Sequence, residues 1–99
     1  MKKEIFNKYV DEVARVFELP PLDLFTKTKE RQCVDARHLL YYLCKTRPMR
    51  LTYIQKYMSD RGYIINHSSI IHGIKKMEEK INKDNDYLSI VKKIEQCTV

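Results

Sequence analysis

The 99-residue sequence is poor in the residues that build tight turns, with two glycines and three prolines, and it contains no tryptophan. A turn-rich sheet protein needs more glycine and proline than this, so that class of fold is disfavoured. Leu, Ile, Lys, Glu and Tyr are abundant instead, and most of these residues favour helices. The composition therefore predicts an all-α fold, and the length predicts a single domain, residues 1–99, with a small core.

Cysteine spacing and hydropathy argue against several further classes of protein. The three cysteines, Cys33, Cys44 and Cys97, show no CxxC spacing, which argues against a disulfide framework and against a zinc knuckle. Free cysteines are typical of a reducing cytosol. No apolar run approaches the roughly 20 residues that span a bilayer, and the N-terminus lacks the apolar stretch of a signal peptide. We expect a cytoplasmic protein with no membrane partner.

Motifs for catalysis, nucleotides and metals are also missing. There is no GxxxxGK[ST], no GxGxxG and no nucleophile elbow. His67 and His72 are separated by five positions, so on a helix they diverge by about 140°, whereas zinc ligands on one helix lie at i, i+3 or i+4. The sequence predicts no catalytic residue, no cofactor and no metal, and hence a protein that is not an enzyme.

The net charge of +6 is concentrated in one part of the chain. Residues 26–50 carry seven basic and two acidic side chains. Such a run is often only a solvated face. A polyanionic partner is the functional interpretation of the same excess.

Apolar residues recur at helical spacing in most of the chain. Pro20 and Pro21 end the first helix, and Pro21 can open a short helical turn through Phe25. A basic loop follows, and Asn66 is a good N-cap for a later helix. The pattern predicts a compact bundle of about five to six helices. The main ones lie near residues 2–18 and 32–46, from Leu51 to near Gly62, after Asn66 through at least Ile81, and near residues 84–96.

A short helix followed by one with a polar, exposed start is typical of a helix-turn-helix that binds DNA. In the second of these helices, an apolar stripe of Ile70, Ile74, Met77 and Ile81 predicts the buried face. The opposite face would then present hydroxyl, imidazole and ammonium groups, which suit base edges and phosphates. The exposed set is His67, Ser68, Ser69, His72, Lys75 and Lys76.

Several other residues have two interpretations each. Gly73 would either let DNA approach closely in the major groove or pack against a neighbouring helix. Arg37 and His38 would either contact the DNA backbone or be merely solvated. The loop residues Lys27, Lys29 and Arg31 would form a flexible basic arm that can reach a minor groove. The tyrosines are interpreted as core or rim residues, not as base-stacking platforms.

The segment NHSSIIHGIKKME, residues 66–78, resembles the signature of the C-terminal DNA-binding domain, domain IV, of the bacterial replication initiator DnaA. The family signature runs DHTTVLHA, followed by a basic pair, an aliphatic residue and Glu. Upstream, LDLFTKTKERQCVDARHLLYYLCK is similar to the family's Asp-Leu-Leu, basic loop and Ala-Arg-Gln helix. The resemblance covers nearly the whole chain and implies a Trp-repressor-like helix-turn-helix fold.

The resemblance also implies roles for individual residues. His67, Ser68 and Ser69 fall where the family contacts bases and backbone in the major groove, and the serines lack the methyl of threonine. Lys29 falls on the arginine that enters the minor groove, with Arg31 beside it. The family's Arg-Gln pair falls at Arg37 and His38, and a later basic residue that contacts DNA falls at Lys76. Lys27 and Lys75 are added by their charge and position, which gives a set of expected phosphate contacts at Lys27, Arg37, His38, Lys75 and Lys76.

The chain departs from the family in two respects. The turn SDRGYIINH replaces the shorter GGRDH, and nothing in the sequence corresponds to the initiator's ATPase domain. We therefore expect sequence-specific binding of double-stranded DNA at a DnaA-box-like site without ATPase activity, in replication initiation or transcription regulation. A bacterial, phage or mobile-element protein, nucleoid-associated and monomeric or dimeric, fits this expectation. The alternative is an adaptor or virion component that binds a replication or transcription protein.

Overall fold

A computed structural model describes residues 2–97 of the chain. This part of the chain contains α-helices and one 3₁₀ turn, and no strand. The all-α prediction is therefore confirmed, and the extended segment at residues 63–66 is a connection without strand pairing. The elements are α1 (Lys2–Val16), the 3₁₀ turn (Pro21–Phe25), α2 (Arg31–Thr46), α3 (Leu51–Asp60), α4 (His67–Lys83) and α5 (Asn85–Cys97).

Helix α1 forms because apolar residues repeat at i, i+3, i+4, i+7 and i+8, which places them on one face. That face is buried and consists of Phe6, Tyr9, Val10, Val13 and Ala14. The helix ends at Val16, two residues before the predicted end, because Glu18 adopts a left-handed backbone conformation with φ 55°. The Leu19 N–H then donates to the Ala14 carbonyl at 2.8 Å, which closes the C-terminus as left-handed caps do.

Helix α2 is the centre of the domain. It packs against α1, the 3₁₀ turn, α3 and α4, and for this reason it is buried on most of its circumference. Its buried residues include one charged side chain, Arg37, among seven others: Cys33, Ala36, Leu39, Leu40, Tyr41, Leu43 and Cys44. Arg31, which the sequence placed in the basic loop, is the first residue of this helix.

The helix-turn-helix consists of α3, a connection and α4. Gly62 follows α3 with φ 90°, a conformation that glycine adopts without a Cβ clash, and the Tyr63 N–H donates to the Met58 carbonyl at 3.0 Å. The chain then runs extended to Asn66, whose side-chain oxygen accepts from the Ser69 N–H at 2.8 Å. The predicted N-cap is confirmed.

The apolar stripe of α4 is buried as predicted at Ile70, Met77 and Ile81, whereas Ile74 is half-buried. Helix α5 lies against α4 and α1 and buries Val91 and Ile94. Together these helices place the start of α4 at the surface and its apolar face against α2.

Gly73 of α4 packs closely against α2. It is buried, and a Cβ at this position would lie 2.7 Å from His38 Cδ2 and 2.9 Å from Tyr41 Cδ2. Real Cβ atoms do not come this close to ring carbons, so no side chain fits without a shift of these rings. The expected major-groove contact at Gly73 is therefore wrong, and the helix-packing interpretation is confirmed.

Replacing Gly73 with alanine should destabilise the protein by up to about 2 kcal/mol. Overpacking costs about 1 to 3 kcal/mol, from which the roughly 1 kcal/mol that alanine gains in helix propensity is subtracted. Urea denaturation followed by circular dichroism would measure the change. Asn82→Ala, at an exposed position of the same helix, is the control and should be neutral or slightly stabilising. A Gly73→Ala protein as stable as Asn82→Ala would contradict the packing argument.

Candidate nucleic-acid interface

A concave surface of about 750 Å³ lies between the basic loop, α2, the connection before α4 and the first turns of α4. We call it the basic concavity. It brings together residues that the sequence singled out from three separate segments, so these segments share one face. The predicted site residues that line it are Lys27, Lys29, Arg37, His38, Ser68, Ser69 and His72.

The start of α4 forms one side of the basic concavity. His67, Ser68 and Ser69 are exposed in the first turn, and His72 is exposed one turn later. The free N–H groups of a helix start favour an anion, although the Asn66 side chain already occupies the N–H of Ser69. This turn therefore presents two hydroxyls and an imidazole to any molecule that docks along it.

Arg37 has a structural role that the sequence did not indicate. Its side chain is buried, and its guanidinium donates to the carbonyls of Thr26 at 3.0 Å and Thr28 at 2.8 Å. The expected phosphate contact is corrected accordingly, because these two nitrogens are directed at the loop. The alternative interpretation, a solvated side chain, is also wrong. Arg37 fixes the backbone of the loop that carries Lys29.

Lys27 is also directed toward the protein. Its ammonium donates to the Ile64 carbonyl at 3.0 Å and lies 5.1 Å from the centre of the Tyr63 ring. The residue is exposed overall, but its charge is placed against the connection before α4. The structure thus gives Lys27 a contact between the loop and this connection, and the expected phosphate contact stays a prediction.

Four basic residues retain exposed charge at or near the basic concavity. Lys29 lies on the loop, and Lys75 and Lys76 lie on α4. Within residues 2–97 no ion pair engages these three lysines. Arg31 is 88% exposed at its side chain, and its Nε lies 4.0 Å from Asp35, a surface contact of little energetic value. These positions can meet a polyanion without first breaking strong internal bonds.

His38 lies at the floor of the concavity, half-buried, with its ring edge-on to His72 and 6.1 Å between ring centres. The pKa of His38 is lowered to about 4, chiefly by burial; Asp35 opposes this shift, whereas the neighbouring His72, Lys80 and Arg37 contribute to it. The imidazole is therefore neutral near pH 7. A phosphate contact at His38 would be a hydrogen bond without ionic attraction.

One exposed apolar residue in this region was missed from the sequence. Ile71 is 40% exposed on α4, next to the buried Ile70. The sequence did indicate this exposure, because Ile71 lies about 100° around the helix from Ile70 and hence outside the predicted buried stripe. An exposed isoleucine between Ser68 and Lys75 gives the polar face of α4 an apolar element.

Other kinds of site are not found in the described residues. Across residues 2–97 no group of three or more His, Cys, Asp or Glu side chains is placed to hold a metal ion. In the same range no helix combines the length and the hydropathy that crossing a membrane requires. Cys33 and Cys44 are buried free thiols, and burial raises the pKa of both.

The lowered pKa of His38 predicts a pH-dependent stability. Below pH 6.5 the unfolded state binds more protons at this residue than the folded state, so stability falls as pH drops from 6.5 toward about 4. His38→Gln should remove this contribution, so that its unfolding free energy changes less over the window than that of the wild type. Denaturant unfolding across the pH series measures the unfolding free energy of both proteins, and the contributions of the carboxylates that both share cancel in the difference. If the two curves of unfolding free energy against pH ran parallel from pH 6.5 to about 4, the lowered pKa of His38 would be contradicted.

The chain matches the family described as the bacterial DnaA protein helix-turn-helix over residues 7–77. It is also similar to the chromosomal replication initiator protein DnaA of Lachnoclostridium phytofermentans, with 29% identity over 83 residues. That alignment covers 83% of this chain and 17% of the relative, so the chain spans less than a fifth of that protein's length. No solved structure matches the chain significantly.

The family match includes α3 and the elements that form the basic concavity, namely the basic loop, α2, the connection and the first turns of α4. It covers more than half of the chain, and the helical order observed here is that of a helix-turn-helix domain. The chain therefore belongs to the bacterial DnaA helix-turn-helix family.

Proposed function

We propose that this domain binds double-stranded DNA in a sequence-specific manner, at a DnaA-box-like site and without hydrolysing ATP. The observation that supports it most strongly is the basic concavity, in which the exposed first turn of α4 faces the loop that carries Lys29. Helix α4 enters a major groove, and the loop enters the adjacent minor groove. A single duplex can meet both because they lie on the same face of the domain.

Base reading in the major groove is assigned to the exposed start of α4. His67, Ser68 and Ser69 supply imidazole and hydroxyl groups, which can donate to or accept from base edges. His72 follows one turn later on the same side. Ile71 adds an apolar group that suits a thymine methyl, a contact that the serines cannot make because they lack a methyl.

Backbone binding is assigned to the lysines whose charge is exposed. Lys75 and Lys76 lie on α4 at positions that flank the groove-facing residues. Lys29, with Arg31 nearby, reaches the minor groove from the loop. A lysine is less suited to a narrow minor groove than an arginine, because an ammonium is more strongly hydrated, so we expect weaker selection for A·T pairs there.

The curated relative is named as a chromosomal replication initiator, which supports a role for this domain in replication initiation or in transcription from related sites. In that role the protein binds the nucleoid, and a replication or transcription protein is its second partner. The contacts proposed above come from one copy of the chain, so a monomer suffices for a single site.

Selection from a library of random duplexes would test the proposal directly. We expect one enriched motif, and we expect the affinity for it to fall with salt, with a slope near −3 if about three lysines each displace a counterion from phosphate. Lys92→Ala removes a positive charge from α5, outside the basic concavity, and should leave the slope unchanged. A selection without enrichment would instead favour an adaptor that binds an acidic protein.

Substitutions on α4 separate reading from backbone binding. His67→Ala or Ser69→Ala should weaken binding to the selected duplex by about 1 to 3 kcal/mol and weaken binding to random duplexes much less, because base contacts carry the specificity. Lys76→Ala should weaken both similarly and reduce the salt slope by about 1. Fluorescence anisotropy with both duplexes measures each effect. Equal losses on both duplexes for all three variants would rule out base reading by α4.

A further inference from the structure

Tyr63 lies where three segments of the DNA-facing side meet. The centre of its half-buried ring is 5.1 Å from Lys27 Nζ, on the basic loop, and 5.0 Å from Arg37 Cζ, on α2. Both distances are within the range of favourable cation–π contacts. Tyr63 itself belongs to the connection that leads into α4. One aromatic ring thus contacts a cation from the loop and a cation from the central helix.

The same two cations also form hydrogen bonds that join these segments. The Lys27 ammonium donates to the Ile64 carbonyl, which adjoins Tyr63 in the connection. The Arg37 guanidinium donates to the carbonyls of Thr26 and Thr28, on either side of Lys27. Two carbonyls of the loop therefore accept hydrogen bonds from α2, and one carbonyl of the connection accepts a hydrogen bond from the loop.

The loop depends on these bonds because its backbone has no regular structure. Residues 27–30 are neither helix nor strand, so the periodic hydrogen bonds that fix the helices are absent there. A loop that is disordered before binding must be ordered on the DNA, and that entropy loss weakens binding. A loop already held in place avoids most of this loss.

We propose that Tyr63 is a positioning residue for DNA binding: through Lys27 and Arg37 it holds the loop of Lys29 at a fixed separation from the first turn of α4. The two grooves of one duplex can then be entered together without reordering the loop. This inference rests on the proposed DNA binding, and it assigns Tyr63 an effect that acts through Lys29 instead of a contact with DNA.

The first test uses the free protein, without DNA. Tyr63→Leu removes the aromatic ring and should lower the backbone ¹⁵N order parameters of residues 27–30 from about 0.85, typical of rigid backbone, toward about 0.6, since two cation–π contacts are lost. Tyr63→Phe keeps the ring and should keep the order parameters of the wild type. Tyr53→Leu is the matched control, because Tyr53 on α3 has a lysine ammonium 4.9 Å from its ring. Unchanged order parameters in Tyr63→Leu would overturn the proposal.

A second variant covers the case in which Tyr63→Leu fails to fold. Lys27→Met removes the ammonium from an exposed residue and keeps the length of the side chain, so the fold should be retained. It should lower the order parameters of residues 27–30 by a smaller amount, because Arg37 still bonds the loop. Order parameters equal to those of the wild type would count against the loop being held by these contacts.

The second test is a double-mutant cycle with Lys29→Ala on the selected duplex. Tyr63→Leu should weaken binding about tenfold when Lys29 is present and less than about twofold in the Lys29→Ala background, since there is no longer a side chain to position. The salt slope of Tyr63→Leu should equal that of the wild type, because Tyr63 meets no phosphate. Additive losses would overturn the positioning role.

The two tests separate this inference from the proposed function. If the wild type binds no duplex, the proposed DNA binding fails, while the order parameters still decide whether Tyr63 holds the loop. If the wild type binds and the cycle is additive, the DNA binding stands and the role of Tyr63 is rejected.

Discussion

The close packing of α4 on α2 at Gly73 is the constraint on which the rest of the structure depends. With rings of His38 and Tyr41 lying where a Cβ would be, the two helices approach each other more closely than ordinary side chains allow. This contact places the first turn of α4 beside the N-terminal half of α2. Because the basic loop is bonded to that same half of α2, the loop and the start of α4 border one concavity.

The basic residues of this face fall into two groups with different consequences for binding. Arg37 and Lys27 direct their charge at carbonyls and at the Tyr63 ring, so they organise the surface. Lys29, Lys75 and Lys76 remain exposed and are available to an anion. The charge of residues 26–50 therefore overstates the number of phosphates that the domain can bind directly. Part of that charge is needed to shape the site.

The helices could be predicted from the sequence, whereas the contacts between distant segments could not. Helices α1 and α4 were predictable because their apolar residues repeat at helical spacing, and Asn66 was a recognisable cap because capping is local. The early end of α1 depends on the left-handed conformation of Glu18, which residue type does not indicate. The bond of Lys27 to Ile64 joins residues 37 positions apart, so no local pattern could reveal it.

The connection before α4 has a consequence for how target preference changes in evolution. It differs from the family's shorter turn, and yet it is secured by bonds from Gln55 to Ile65 and from Lys27 to Ile64. If the domain binds DNA as proposed, substitutions or length changes in such a connection would alter the angle at which α4 meets DNA while the side chains proposed to contact bases stay the same. A paralogue would thus acquire a new binding site without any substitution in α4.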